Sequence, residues 1–191
     1  MQRLVYVAAS LLVSATRGTT TCPSECRCLD HDSIVNCHHA DVDRLPSPLP
    51  PSAIVVDADR NRISALYNDS LVGGNSLEIV SLQDNALARL DPAAFSRYPA
   101  LRIVRLGGNR LSSLPTALFS GCRMLQVLDV HGNRLVGAPP DHLLYHVHAL
   151  ISLNVSNNRL TSARLGPGFR YVTQLADLDL SGTWPELFTY F

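Results

Sequence analysis

An α/β repeat solenoid with a parallel concave β-sheet and a disulfide-bonded N-terminal cap is the fold class that three observations predict. Asparagine recurs in one frame at Asn61, Asn85, Asn109, Asn133 and Asn158, at steps of 24, 24, 24 and 25 residues. Each asparagine closes the same apolar pattern, L-x-x-L-x-L-x-x-N-x-L. Four cysteines, Cys22, Cys26, Cys28 and Cys37, crowd together just ahead of the array. A fixed period of this length is the signature of a chain that stacks one small unit on the next.

The copies can be read off in order. Leu77, Val80, Leu82, Asn85 and Leu87 form one. Leu101, Val104, Leu106, Asn109 and Leu111 form the next, followed by Leu125, Leu128, Val130, Asn133 and Leu135. Leu150, Leu153, Val155, Asn158 and Leu160 come after. An earlier, weaker copy has Val56, Ala58, Asn61 and Ile63. A last copy begins Leu175, Leu178, Leu180, with Thr183 in place of asparagine. In L-x-L the two apolar side chains point to one side of a short strand and the middle residue to the other. One repeat cannot bury its leucines alone, so neighbours stack into a parallel sheet over one continuous core. The asparagine amide satisfies backbone groups where the strand turns away and in the adjacent repeat, and the Thr183 hydroxyl supplies only part of that. Return segments such as Leu114-Pro115 to Phe119 lack helical periodicity, which predicts extended or 3₁₀ returns.

The start of the chain reads as an export signal. Arg3 precedes the apolar run Leu4 to Val13, and small residues Ser14, Ala15, Thr16 and Gly18 follow. This is the order of a secretory signal peptide, expected over residues 1–18 with cleavage after Ala15 or Gly18. The run is shorter than the ~20 residues a membrane span needs. Export places the clustered cysteines in an oxidising compartment, where they read as two disulfides with three pairings open. A zinc site is the rival reading, disfavoured by the C-x-C spacing. Cys122 is left over, either a small buried hydrophobe or one half of an intermolecular disulfide.

Composition narrows the function. Apolar residues make up 46% of the 191 and charged residues 17%, which suits a packed body. The formal net charge is zero, so nucleic acid is not the expected partner. All 16 basic residues are arginine, which removes lysine chemistry. G-x-S-x-G, phosphate-loop, G-x-G-x-x-G and H-E-x-x-H motifs do not occur, and neither an enzyme nor a small-molecule cofactor is expected. Asp141, His142, His146 and His148 form a dense ionisable cluster, read as an exposed return loop and not a metal site. His38 and His39 within the cap are read the same way.

The chain resembles the extracellular leucine-rich-repeat proteins, the group that includes Slit, Toll-like receptors, Nogo receptor and the matrix proteoglycans. Residues 53–183 carry the 24-residue motif, for example LRIVRLGGNRLSSLPTALFSGCRM, and CPSECRCLDHDSIVNC at residues 22–37 looks like the family's N-terminal cap. The resemblance implies a leucine-rich-repeat horseshoe, a cap over residues 22–52, and the pairings Cys22–Cys28 and Cys26–Cys37. The cap's physical role is to cover the apolar edge of the first repeat. Family members usually end in a second cysteine-rich cap, and here residues 183–191 read TWPELFTYF, with no terminal cysteines in 184–191. Either the sequence is a piece of a longer protein, in which case a membrane anchor can follow, or Trp184, Leu187, Phe188, Tyr190 and Phe191 fold back as a lid.

The resemblance implies binding through the concave face. Positions flanking the core leucines are Asp57, Asp59, Ser81, Gln83, Arg105, Asp129, His131, Asn154, Ser156 and Asp179. A curved polar face suits an extracellular or cell-surface protein better than a small molecule, which wants an enclosed apolar pocket. One arginine against four aspartates weighs against glycosaminoglycan there. A structural matrix component is the second reading, and the N-terminal part of a multidomain receptor the third. Two glycosylation sequons start at Asn68 and Asn154. Asn68 falls in a return and Asn154 in a strand on the concave side. Either Asn154 stays unglycosylated, or the partner binds nearer the N-terminal repeats or along an edge. His131 beside Asp129 is placed to titrate between neutral and mildly acid pH.

Overall fold

The computed structural model describes residues 22–137, 140–161 and 165–183. The expected export signal and the aromatic tail from Trp184 lie outside the described residues. Twelve strands follow in chain order among the described residues: β1 (Arg27–Leu29), β2 (Ile34–Asn36), β3 (Val55–Asp57), β4 (Ala65–Leu66), β5 (Ile79–Ser81), β6 (Arg89–Leu90), β7 (Ile103–Arg105), β8 (Val127–Asp129), β9 (Val136–Gly137), β10 (Ser152–Asn154), β11 (Arg159–Leu160) and β12 (Asp177–Asp179). Eight of them make one sheet in the order β1-β2-β3-β5-β7-β8-β10-β12. β1 and β2 pair antiparallel, and every later pair is parallel. The fold is a parallel-sheet solenoid. Its returns are turns and two short 3₁₀ helices, Asp141–Leu143 and Pro167–Tyr171, with no α-helix among the described residues.

The strands of the eight-stranded sheet are three residues long because the repeat asks for no more. The middle residue of each points inward: Val35, Val56, Val80, Val104, Leu128 and Leu153 are all buried. With Leu77, Leu82, Leu101, Leu106, Leu125 and Leu150 they form one cluster running through the array. Return segments add Phe95 and Phe119, each wholly buried, with ring centroids 5.4 Å apart and planes at 18°.

The five asparagines form a second, polar spine. Each side-chain Nδ2 donates to three carbonyls and each Oδ1 accepts from one amide. Asn109, for instance, donates to Leu82, Leu106 and Gly107 oxygens at 2.9–3.1 Å and accepts from Leu87 N at 2.9 Å. Asn85, Asn133 and Asn158 repeat this with their own neighbours, while Asn61 reaches into the cap at Cys37 O and Val42 N. A primary amide is the one small side chain that pairs two donor hydrogens with an acceptor oxygen, and with three carbonyls around Nδ2 one N–H is shared between two of them. At Thr183 the hydroxyl donates to Leu180 O, the one side-chain bond it makes among the described residues.

The cap carries disulfides Cys22–Cys28 and Cys26–Cys37. It is more than a cover. Its strand β2 pairs with β3 (Val35 opposite Val56), so the cap extends the sheet instead of only blocking its end. Cys122 lies wholly buried, its thiol donating to Phe95 O at 3.0 Å. Burial pushes that thiol up to about 12 from an ordinary value of 9.0. The thiol is inward and neutral, the small-hydrophobe arrangement, and it has no path to an intermolecular partner.

Two results follow for Cys122. A colorimetric thiol reagent at pH 8 should leave the folded chain unlabelled and titrate one thiol after denaturation. The unfolded chain ionises this thiol above pH 9 and the folded chain does not until about 12. Its contribution is therefore intact below pH 9 and is lost as pH rises, at about 1.4 kcal/mol per pH unit across that window. Cys122→Ala should flatten this alkaline slope in urea titrations. An unchanged slope would show that the thiol ionises in place.

Candidate functional site: the concave face

The sheet aligns one residue from each strand into rows. Strand register places Asn36, Asp57, Ser81, Arg105, Asp129, Asn154 and Asp179 side by side. Two residues further along each strand exit, the same face carries His38, Asp59, Gln83, His131 and Ser156. The residues inferred from the repeat pattern therefore do share one surface. They are not, however, a row of equivalent contacts.

Most first-row side chains have a local task. In Asp57, Asp129, Asn154 and Asp179 the Oδ1 atom accepts from the amide two residues on, at 2.9–3.0 Å. Asn36 does the same for His38. These are Asx turns that close the strand end, which is why Asp and Asn recur there. The amide of Ser181 is also the main reason Asp179 sits below the usual carboxylate range.

Ser81 and Ser156 are the covered members of these rows. Each is about 5% exposed or less (5% and 4%). The Ser81 hydroxyl donates to Asp59 Oδ1 at 2.7 Å, and that of Ser156 to Asn154 Oδ1 at 2.7 Å. A short hydroxyl beside a longer acidic or amide neighbour is covered by it and spends its proton on it. These serines orient Asp59 and Asn154 and present little surface of their own. Gln83 reinforces Asp59, its amide N donating to Oδ1 at 2.7 Å and its Nε2 to Oδ2 at 3.3 Å.

His131 is held by Asp129, with Nδ1 2.8 Å from Oδ1. The ring occupies the space above Gly107, where a Cβ would collide with the imidazole. Glycine at 107 is thus what admits a histidine to the centre of the face.

A third row was missed from the sequence. Ile34, Val55, Ile79, Ile103 and Val127 stand in register at the N-terminal side of the strands and are partly exposed. They continue into Ser152 and Asp177. The two-residue alternation that marks Ser81 as outward also marks Ile79, one step back. The cap's contribution, Ile34, Asn36 and His38, carried no repeat signal and needed the β2–β3 pairing to be seen.

The histidine-rich return is a separate place. His142 Nε2 donates to Leu114 O at 3.0 Å, and His148 stacks on Tyr171 with centroids 5.8 Å apart. Asn68, at the first sequon, is exposed in a return, whereas Asn154 is half-buried in β10.

A leucine rich repeat family profile matches this chain at residues 55–111, 75–135 and 99–160, together more than half of the 191. The chain belongs to the leucine-rich-repeat family. Among its relatives, leucine-rich repeat-containing protein 3 of Bos taurus is 31% identical over 88 residues, 45% of this chain and 34% of that protein. The leucine-rich repeat and immunoglobulin-like domain-containing nogo receptor-interacting protein 1 of Xenopus tropicalis is 32% identical over 91 residues, 48% of this chain and 14% of that protein. Among solved structures, the crystal structure of the TLR13-ssRNA13 complex superposes with a TM-score of 0.65 at 22% identity, covering 70% of this chain and 18% of that one. That likeness is one of fold. The matched stretches span about a third or less of the length of these relatives. Leucine-rich-repeat arrays serve in general as binding modules that present an extended concave surface. Among the described residues no helix is long and apolar enough to cross a membrane.

Proposed function

We propose that the chain is an extracellular protein-recognition module that binds a cell-surface or secreted protein along its concave face. The observation that carries this reading is the register of three rows on one surface: an aliphatic row, an acid-rich row and a mixed polar row. A face with apolar area flanked by fixed charge has the make-up of a protein-binding surface. Asp57, Asp59, Asp129 and Asp179, with Asp177 beside Ser152, favour a partner patch that is apolar with a basic rim. Ser81 and Ser156 pre-set their neighbours, which lowers the ordering cost of binding. Two disulfides in the cap and the export-signal pattern support an oxidising, extracellular setting. The frog relative's name describes it as Nogo receptor-interacting, which adds weight to a protein partner of receptor type.

A glycan wedge tests the face. Asp129→Asn with His131→Thr creates a sequon at the same strand position as the one starting at Asn154, and asparagine keeps the Asx-turn acceptor. The secreted chain and this variant are compared against a panel of purified ectodomains by surface plasmon resonance, with glycan occupancy read by mass spectrometry. Loss of binding to any ectodomain captured by the parent chain is expected. Unchanged binding with the glycan in place would remove the concave face as the site.

A further inference from the structure

We infer that His38, Asp57 and Asp59 hold a divalent cation of the zinc class at the junction of the cap and the first repeat. One ligand atom from each of the three lies within 4.8 Å of the other two. The residues come from different parts of the chain. β2 and β3 pair so that Asn36 stands opposite Asp57, which puts His38 laterally beside Asp59 on the same face. The backbone ties this placement: His39 N donates to Asp59 O at 3.0 Å, and Cys37 N to Asp57 O at 2.7 Å.

The carboxylates are oriented in advance. Asp59 Oδ1 accepts from Ser81 Oγ and Gln83 N, both at 2.7 Å, its Oδ2 accepts from Gln83 Nε2 at 3.3 Å, and Asp57 Oδ1 accepts from Asp59 N at 3.0 Å. These donors are neutral, so they aim the carboxylates without cancelling their charge. Metal ligands are commonly held by such outer hydrogen bonds. His38 is the adjustable member. Its side chain is 41% exposed, with Nδ1 3.7 Å from Asp57 Oδ1. Zinc takes such ligands at ~2.0–2.2 Å, so binding would draw the His38 imidazole in toward the two carboxylates.

The donor set selects the ion. One imidazole and two carboxylates suit zinc and its late first-row neighbours, whereas calcium and magnesium take six or more oxygens. Three protein ligands leave a coordination position open. His38 also lines a groove of about 430 Å³ together with Glu25, Arg27, Asn36, His39 and Ala40. The ion binds the chain by itself, so this inference stands apart from the choice of protein partner.

The test is isothermal titration calorimetry of the full secreted chain, free of any affinity tag, with zinc chloride, and with calcium and magnesium chlorides in parallel. One saturable equivalent of zinc is expected, weakened by roughly tenfold or more in His38→Gln and in Asp57→Asn. Asp57→Asn keeps the turn acceptor, as Asn36 and Asn154 do in their own strands, so apo thermal unfolding should match the parent for both variants. No saturable zinc binding, or zinc binding unchanged in both variants, would overturn the site. Calcium binding as tight as zinc at one equivalent would overturn its assignment to the zinc class.

Discussion

Phe119→Ala should lower the unfolding free energy by about 4 kcal/mol, the usual range for emptying a phenylalanine site in a packed core. The side chain is wholly buried and stacked on Phe95, and the two rings belong to successive repeats. Its loss removes both apolar burial and the contact that passes from one return segment to the next. Neighbour contacts of this kind carry the cooperativity of a repeat array, because no repeat touches any but its flanking copies. Urea titration followed by circular dichroism reads the effect as a shifted midpoint. A lower slope in addition would show that the array now unfolds in two parts. A loss below about 1 kcal/mol would mean that Phe95 and Leu118 close over the space, contrary to close packing.

Asn109→Ala should cost about 3 kcal/mol although it removes a polar side chain. The bonds lost are unequal. The carbonyls of Leu106 and Leu82 keep a second donor in Asn133 and Asn85, and that of Gly107 keeps Asp84 N. Leu87 N, by contrast, has its bond to Asn109 Oδ1 and is left buried without it. An orphaned buried amide is the main penalty. Asn109→Asp separates the two halves of this explanation. A carboxylate still accepts from Leu87 N but sets negative charge against three carbonyl oxygens. At neutral pH it should therefore be more destabilising than alanine. Its carboxyl is raised in the folded chain, so the deficit eases as pH falls through that raised value and is full above it. Midpoints measured at pH 4.5 and pH 7.5 check the sign. Equal deficits at both would show that the amide donors matter little and that Leu87 N dominates.

Much of this architecture is legible in the residues themselves. The frame of Leu101, Val104, Leu106 and Asn109 states which side chains are inward and where the strand ends, because alternation along a strand is a local property. The inward position of Cys122 follows from the same frame. The asparagine spine was also readable, since an amide repeated at a strand exit has backbone groups as its natural partners.

Other features depend on which strand lies beside which. His38 reads in the sequence as an exposed cap histidine and not a metal ligand, and only the β2–β3 pairing sets it next to Asp59. The aliphatic row of Ile79, Ile103 and Val127 obeys the local alternation, yet its meaning as a continuous stripe comes from lateral register. Ser81 reads as outward and is outward, but Asp59 of the preceding repeat accepts its hydroxyl bond and leaves it little exposed. Gly107 looks like a loop residue until the His131 ring is seen above it. The chain by itself thus determined the repeat, the direction of each side chain and the rungs of the polar spine, all set within one repeat or between adjacent copies of one pattern. Tertiary structure alone decided which polar groups neutralise, cover or orient one another across strands, because those energies depend on distances between residues that the sequence leaves 20 or more positions apart.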